Sequence, residues 1–150
     1  MRKLLFAAAL CALAVLVVLP AAGNAASTTL TAKLSGNAET PDKGDPNGSG
    51  TATIRIDPAK KTACFTIKLK KLEPTVAGHI HKGKKGKAGD VVVPLFATQS
   101  SKTTRKGCAR DQKASTLRAI LSHPSNYYVN VHTKMFPAGA ARGQLKKATS

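Results

Sequence analysis

Short segments in which apolar and polar residues alternate one for one recur along this chain. Over Thr29–Ser35 the apolar set is Leu30, Ala32 and Leu34; over Thr51–Asp57 it is Ala52, Ile54 and Ile56; over Cys64–Lys70 it is Phe65, Ile67 and Leu69. A period of two suits a strand with one buried face, because successive side chains point to opposite sides of a sheet. Val76–His81 and Asp90–Phe96 are shorter strand candidates, and Ala140–Leu145 is a last one after the turn Pro137-Ala138-Gly139. Tyr127–Thr133 sets Tyr127, Val129 and Val131 on one face against Tyr128, Asn130 and His132 on the other. The intervening stretches are rich in turn formers: Asn37–Gly50 holds Pro41, Gly44, Pro46 and Gly48, and Lys82–Gly89 combines three glycines with four lysines in an exposed, flexible connection. Gln99–Lys113 is polar and basic and reads as a further loop. Leu117, Ile120 and Leu121 within Ala114–Leu121 suit one or two helical turns that end before Pro124. These signals predict an all-β, antiparallel sandwich or barrel with one short helix, and 150 residues suffice for one such domain.

The N-terminus is read separately. Arg2 and Lys3 precede an unbroken apolar run from Leu4 to Leu19, and Pro20 to Ala26 supplies the small residues of a cleavage site. This predicts a secretory signal peptide over residues 1–26, a mature domain over 27–150 with its core at 30–145, and no membrane span after cleavage. The expected location is extracellular or periplasmic. Cys11 falls inside the signal, which leaves Cys64 and Cys108 as the mature cysteines; in an oxidising compartment they are expected to pair. Without Arg2 and Lys3 the 24 basic residues become 22 against 7 acidic, a net charge of +15. So basic a chain favours anionic extracellular polymers or surfaces as partners, with Lys82, Lys84, Lys85 and Lys87 as the densest candidate contact. Lys102, Arg105, Lys106 and Arg110 look like a second basic loop. Aromatic residues make up only 4% of the chain, too few to interleave with the lysines for base stacking, which argues against specific nucleic-acid recognition.

The chemistry centres on His79-Ile80-His81. Residues i and i+2 of a strand share a face, so the two imidazoles stand side by side while Ile80 faces the core. His132 likewise lies opposite Val129 and Val131. If the two strands are neighbours, three imidazoles converge, a donor set that copper or zinc accepts, with Glu39 or Asp90 available as a carboxylate ligand. The alternative is a hydrogen-bonded network with Asn130, Thr133 and backbone groups that orients structure without a metal. No serine has the surroundings of a hydrolase nucleophile, and the acids are too few to suggest a paired-carboxylate site.

In order, Leu34-Ser35-Gly36-Asn37-Ala38-Glu39-Thr40-Pro41, Gly50-Thr51-Ala52, Gly78-His79-Ile80-His81-Lys82-Gly83, Tyr127-Tyr128-Val129-Asn130-Val131-His132-Thr133, Pro137-Ala138-Gly139 and Arg142-Gly143-Gln144-Leu145 resemble the CHRD domain family. The resemblance implies a secreted, Greek-key-like antiparallel β-domain of the kind found in bacterial exported proteins and repeated in chordin, with no biochemical activity established for the family. Its Glu, HxH and NVHT positions fall on Glu39, His79, His81, Asn130, His132 and Thr133, and Arg142 and Gln144 extend the same polar group. Ala140-Ala141 stands where the family often has an acid or a β-branched residue, so no acid acts there in this chain. The HxH strand with a distant histidine is also similar to the copper site of copper/zinc superoxide dismutases, although this chain has only four histidines. The expected function is a non-enzymatic binding or structural module with a histidine-rich metal site; a secreted copper/zinc oxidoreductase is the alternative.

Overall fold

Strands form where the alternation places them. In the computed structural model, which describes residues 27–149, they are β1 (Thr28–Ser35), β2 (Ser49–Asp57), β3 (Thr62–Lys70), β4 (Thr75–Lys82), β5 (Val91–Phe96), β6 (Thr104–Ala109), β7 (Tyr127–Thr133), β8 (Ala141–Gln144) and the two-residue β9 (Lys146–Lys147). Among the described residues one α-helix, α1 (Ala114–Ser122), lies between β6 and β7. The signal segment expected at 1–26, with Cys11, lies outside the described residues. Among the described residues no helix is long and apolar enough to cross a membrane.

The strands form one antiparallel sheet in the order β5-β4-β7-β8-β1-β2-β3-β6, with β9 also on β1. Its two ends, β5 and β6, come into contact, so the sheet curls into a nearly closed barrel. The neighbours β4–β7, β8–β1 and β3–β6 are far apart in sequence, as in a Greek-key-like path. Leu30, Ile54, Ile56, Ile67, Ile80, Val93, Val129 and Val131 fill the interior, and Leu117 and Ile120 of α1 join this core. All the inward residues expected for the first three strands are buried, and so is Ile80.

β6 corrects the sequence reading, which made Gln99–Lys113 a loop. Its register with β3 runs from Ala63↔Ala109 to Lys68↔Thr104. Arg105 and Ala109 are its buried residues, so its inward face carries no large apolar side chain and shows no hydrophobic alternation. Arg105, expected as surface decoration, sits in the seam between the barrel's ends. Its Nη1 donates to the Thr75 hydroxyl (2.8 Å) and its Nη2 to the Thr98 carbonyl (2.8 Å), and the guanidinium lies 3.9 Å from the centre of the Phe96 ring. Cys64 and Cys108 form the expected disulfide and are directly opposite one another in the β3–β6 register.

Candidate metal centre

The pairing of β4 with β7 decides the site. His79 is in register with Asn130, His81 with Tyr128 and Ala77 with His132, so the outer face of β4 meets the outer face of β7. The one-for-one alternation puts Ile80, Val129 and Val131 into the core and leaves His79, His81, Tyr128, Asn130 and His132 on the opposite side. That side is not open to water: every residue of β7 is buried. Irregular segments cover it. Residues 36–48 lie over β8, with Asp45 N–H donating to the Ala140 carbonyl, and the Lys82–Gly89 loop folds back across β7.

His79, His81 and His132 converge, each offering a ring nitrogen, with the three nitrogens within 4.8 Å of one another. Their tautomers follow from their partners. His81 Nδ1 is 2.8 Å from the Gly89 carbonyl and His132 Nδ1 is 2.9 Å from the Pro137 carbonyl. A carbonyl only accepts, so both Nδ1 atoms carry hydrogen and both Nε2 atoms carry lone pairs. His132 Nε2 lies 3.1 Å from His79 Nδ1, which therefore donates to it in the metal-free chain. His81 Nε2 is buried and has no hydrogen-bond partner. Burial lowers the pKa of all three histidines, helped for His79 by the charges of His132 and His81, which bring it down to about 4. All three are neutral at neutral pH.

These features fit copper or zinc. Metal-binding histidines usually donate the second ring N–H to a carbonyl or carboxylate, which fixes the ring and leaves the other nitrogen for the ion. On a tetrahedral ion with Zn–N bonds of about 2.0–2.1 Å the ligand nitrogens stand roughly 3.4 Å apart. The observed spacings are close enough for small side-chain rotations to reach that value.

Glu39 is not one of the converging ligands, and neither is Asp90. Glu39 follows the turn Gly36–Ala38 and is buried; its Oε2 accepts a hydrogen bond from Asn130 Nδ2 (3.2 Å), while Oε1 has no partner. Gly139 makes room for it, since a Cβ there would come within 2.6 Å of the carboxyl group. A cavity of about 340 Å³ touches both Glu39 and His81. Thr133 turns the chain, its hydroxyl accepting from Phe136 N–H. Arg142 and Gln144 hold the lysine-bearing loop instead: Arg142 donates to the Lys87 carbonyl (3.0 Å) and Gln144 to the Gly83 carbonyl (2.6 Å). Arg142 also lies 3.9 Å from the Tyr128 ring centre, and Tyr128 stacks on His81. Asn130 thus serves Glu39, His81 and His132 use backbone carbonyls, and His79 pairs with His132. Lys82, Lys84, Lys85 and Lys87 are exposed, as expected for that loop, but its backbone is anchored.

Burial pushes the Glu39 carboxyl up to about 7, against the opposing pull of Arg142 and of the Asn130 hydrogen bond. A raised acid holds its proton in the folded state, so its contribution to stability is complete below about 4.5 and is lost as pH rises through about 7. His79 has the opposite sign: its contribution is complete above about 6.5 and is lost as pH falls through about 4. The two slopes oppose each other in the overlap and flatten the wild-type profile. Glu39→Gln removes one of them. Urea denaturation of the metal-free protein is expected to show the variant gaining stability from pH 4.5 to 6.5 and, between pH 4 and pH 8, gaining on the order of 2–3 kcal/mol relative to wild type. Identical profiles would mean that Glu39 titrates as an ordinary carboxyl.

Comparison with curated proteins and with solved structures returned no match. The family model described as the CHRD domain matches residues 30–145, a span that contains the histidine centre, Glu39 and the Arg142–Gln144 clamp, and the chain therefore belongs to the CHRD domain family.

Proposed function

We propose that this chain is a non-enzymatic extracellular binding module whose His79–His81–His132 centre holds a copper or zinc ion. The observation that carries the reading is the pair of Nδ1–carbonyl hydrogen bonds on His81 and His132, which leaves a lone pair on each Nε2, one beside His79 and the other buried without a partner. An unpartnered buried nitrogen is costly unless something binds it. Residues 1–26 act as the secretory signal and 27–150 as the mature domain; a disulfide and membership of this family fit such an exported protein. Its strongly basic surface meets an anionic polymer or surface, in keeping with the charge of the chain.

A bound ion supplies Lewis acidity or, as copper, redox chemistry. The side chains of this chain do the rest: two carbonyl-anchored imidazoles set the direction of approach, and Tyr128 stacked on His81 keeps that ring in place. The second reading, a copper/zinc oxidoreductase, draws on the cavity that reaches His81, through which a small molecule would approach the centre.

The test uses the chain expressed with its own leader, untagged, and metal analysis by mass spectrometry beside a His79→Ala/His81→Ala variant. About one copper or zinc per wild-type chain and none in the variant is the expected result. A metal-free wild type that takes up neither ion on dialysis would overturn it. Superoxide consumption by the loaded protein separates the second reading from the first.

A further inference from the structure

A second cavity, of about 520 Å³, is also lined by Glu39, and its charge is unusual. Lys33 from β1, Lys43 from the 36–48 segment, Lys85 from the anchored loop and Lys146 from β9 line it together with Arg142, and Glu39 is its one acid. The lysines are exposed, whereas Arg142 and Glu39 are buried. Four elements far apart in sequence thus bring like charges to one rim. Like charges held together repel, and a concave site concentrates their field, so the arrangement favours an anion in the cleft.

The polar lining narrows the class of anion. Asn37, Thr40 and Gln144 line the cleft beside the lysines. Their amide and hydroxyl groups suit hydroxyls, which both donate and accept. Among the described residues no aromatic side chain lines the cleft, so nucleobases have nothing to stack on, while Ala38, Pro41 and Gly143 offer small apolar surfaces suited to the C–H faces of a sugar ring. The volume lies within the range of small-ligand sites, about 300–1,000 Å³. We infer that this cleft binds an acidic oligosaccharide, its carboxylate or sulfate among Lys33, Lys43, Lys85 and Lys146 and its ring hydroxyls on Asn37, Thr40 and Gln144.

The inference rests on the anionic-partner half of the proposed function and not on the metal half, so binding is expected to persist in EDTA. It also relocates the contact. Of Lys82, Lys84, Lys85 and Lys87, only Lys85 reaches the cleft, at the turn closed by Lys87 N–H on the Lys84 carbonyl, where Gly86 takes φ +75°.

Titration calorimetry of the untagged chain, expressed with its own leader, tests it with oligogalacturonate as the carboxylate probe and a heparin hexasaccharide as the sulfate probe. Maltohexaose and a 20-nucleotide single-stranded DNA are the comparison ligands. One variant carries Lys33→Ala, Lys43→Ala, Lys85→Ala and Lys146→Ala; another removes the same charge outside the cleft through Lys84→Ala, Lys87→Ala, Lys102→Ala and Lys106→Ala. All eight side chains are exposed, so both variants keep the core. The expected result is binding of at least one acidic probe, weakened about tenfold or more in the cleft variant and less than about threefold in the other, with affinity falling as salt rises. Whichever acidic probe binds more tightly identifies the substituent. Equal losses in both variants would overturn the cleft while leaving an anionic partner in place. A wild type that binds neither acidic probe would overturn both, and tighter binding of DNA, lost in the cleft variant, would overturn the saccharide.

Discussion

Replacing the disulfide by Cys64→Ser/Cys108→Ser is expected to lower the stability of the folded chain by about 3–4 kcal/mol. The two cysteines stand 44 positions apart, and constraining a loop of that length in the unfolded chain removes entropy worth roughly 4 kcal/mol at 25 °C. Little else offsets the loss. Cys64 is half-buried and Cys108 exposed, so serine at both positions leaves no large hole in the core. β6 itself brings Ala109 as its only buried apolar residue, so once unstapled it depends on its ladder with β3 and on Arg105. A loss of this size is a large part of the 5–15 kcal/mol typical of a domain. Urea denaturation of the variant and of wild type with and without reductant measures it, and the reduced wild type should match the variant. A loss below about 1 kcal/mol would mean that the unfolded chain is already compact around this pair.

The part of the fold legible in the sequence is the part in which one face is apolar. Leu30, Ala32 and Leu34, or Phe65, Ile67 and Leu69, declare a strand because water is excluded from one side only, and each is buried. The helix is legible for the same reason, since Leu117 and Ile120 recur at a helical spacing and both reach the core. β7 is harder to read. Its second face, Tyr128, Asn130 and His132, is as buried as its first, yet its polarity reads as surface, because the cover comes from loops whose own sequences carry no periodic signal. What the sequence could not supply for the histidine centre was adjacency. His79 and His81 are placed side by side by their spacing alone, whereas His132, 53 residues beyond His79, joins them only through the β4–β7 ladder. The carbonyls of Gly89 and Pro137 that orient the rings were out of reach too, since backbone acceptors leave no mark in residue type. The cleft lysines carry the same lesson: the run at 82–87 is dense in sequence, while Lys33, Lys43 and Lys146 lie far apart along the chain and meet only when it folds.

Arg105→Ala is expected to destabilise the protein by about 3 kcal/mol, the cost of opening a buried hydrogen-bonded network around a charge. Arg105 has no carboxylate partner among its contacts. Its charge is balanced by the carbonyls and hydroxyls of Thr75 and Thr98 and by the face of Phe96, and burial lowers its pKa. Alanine removes the charge and its desolvation cost, but it strands the buried Thr75 hydroxyl and leaves Phe96, which packs against Phe65, without support on one face. Planarity matters as much as charge. A guanidinium reaches both threonines at once, whereas lysine is a point donor that serves one of them, so Arg105→Lys should recover only part of the loss. The effect should also be local. Thr75 and Ser100 exchange backbone hydrogen bonds of 3.1 and 2.9 Å beside this contact, and their amides should lose hydrogen-exchange protection in Arg105→Ala before those of β1 and β2 do. If the alanine variant costs less than about 1 kcal/mol and those amides stay protected, then Phe65 and Phe96 close the barrel by apolar packing and the arginine fork is dispensable.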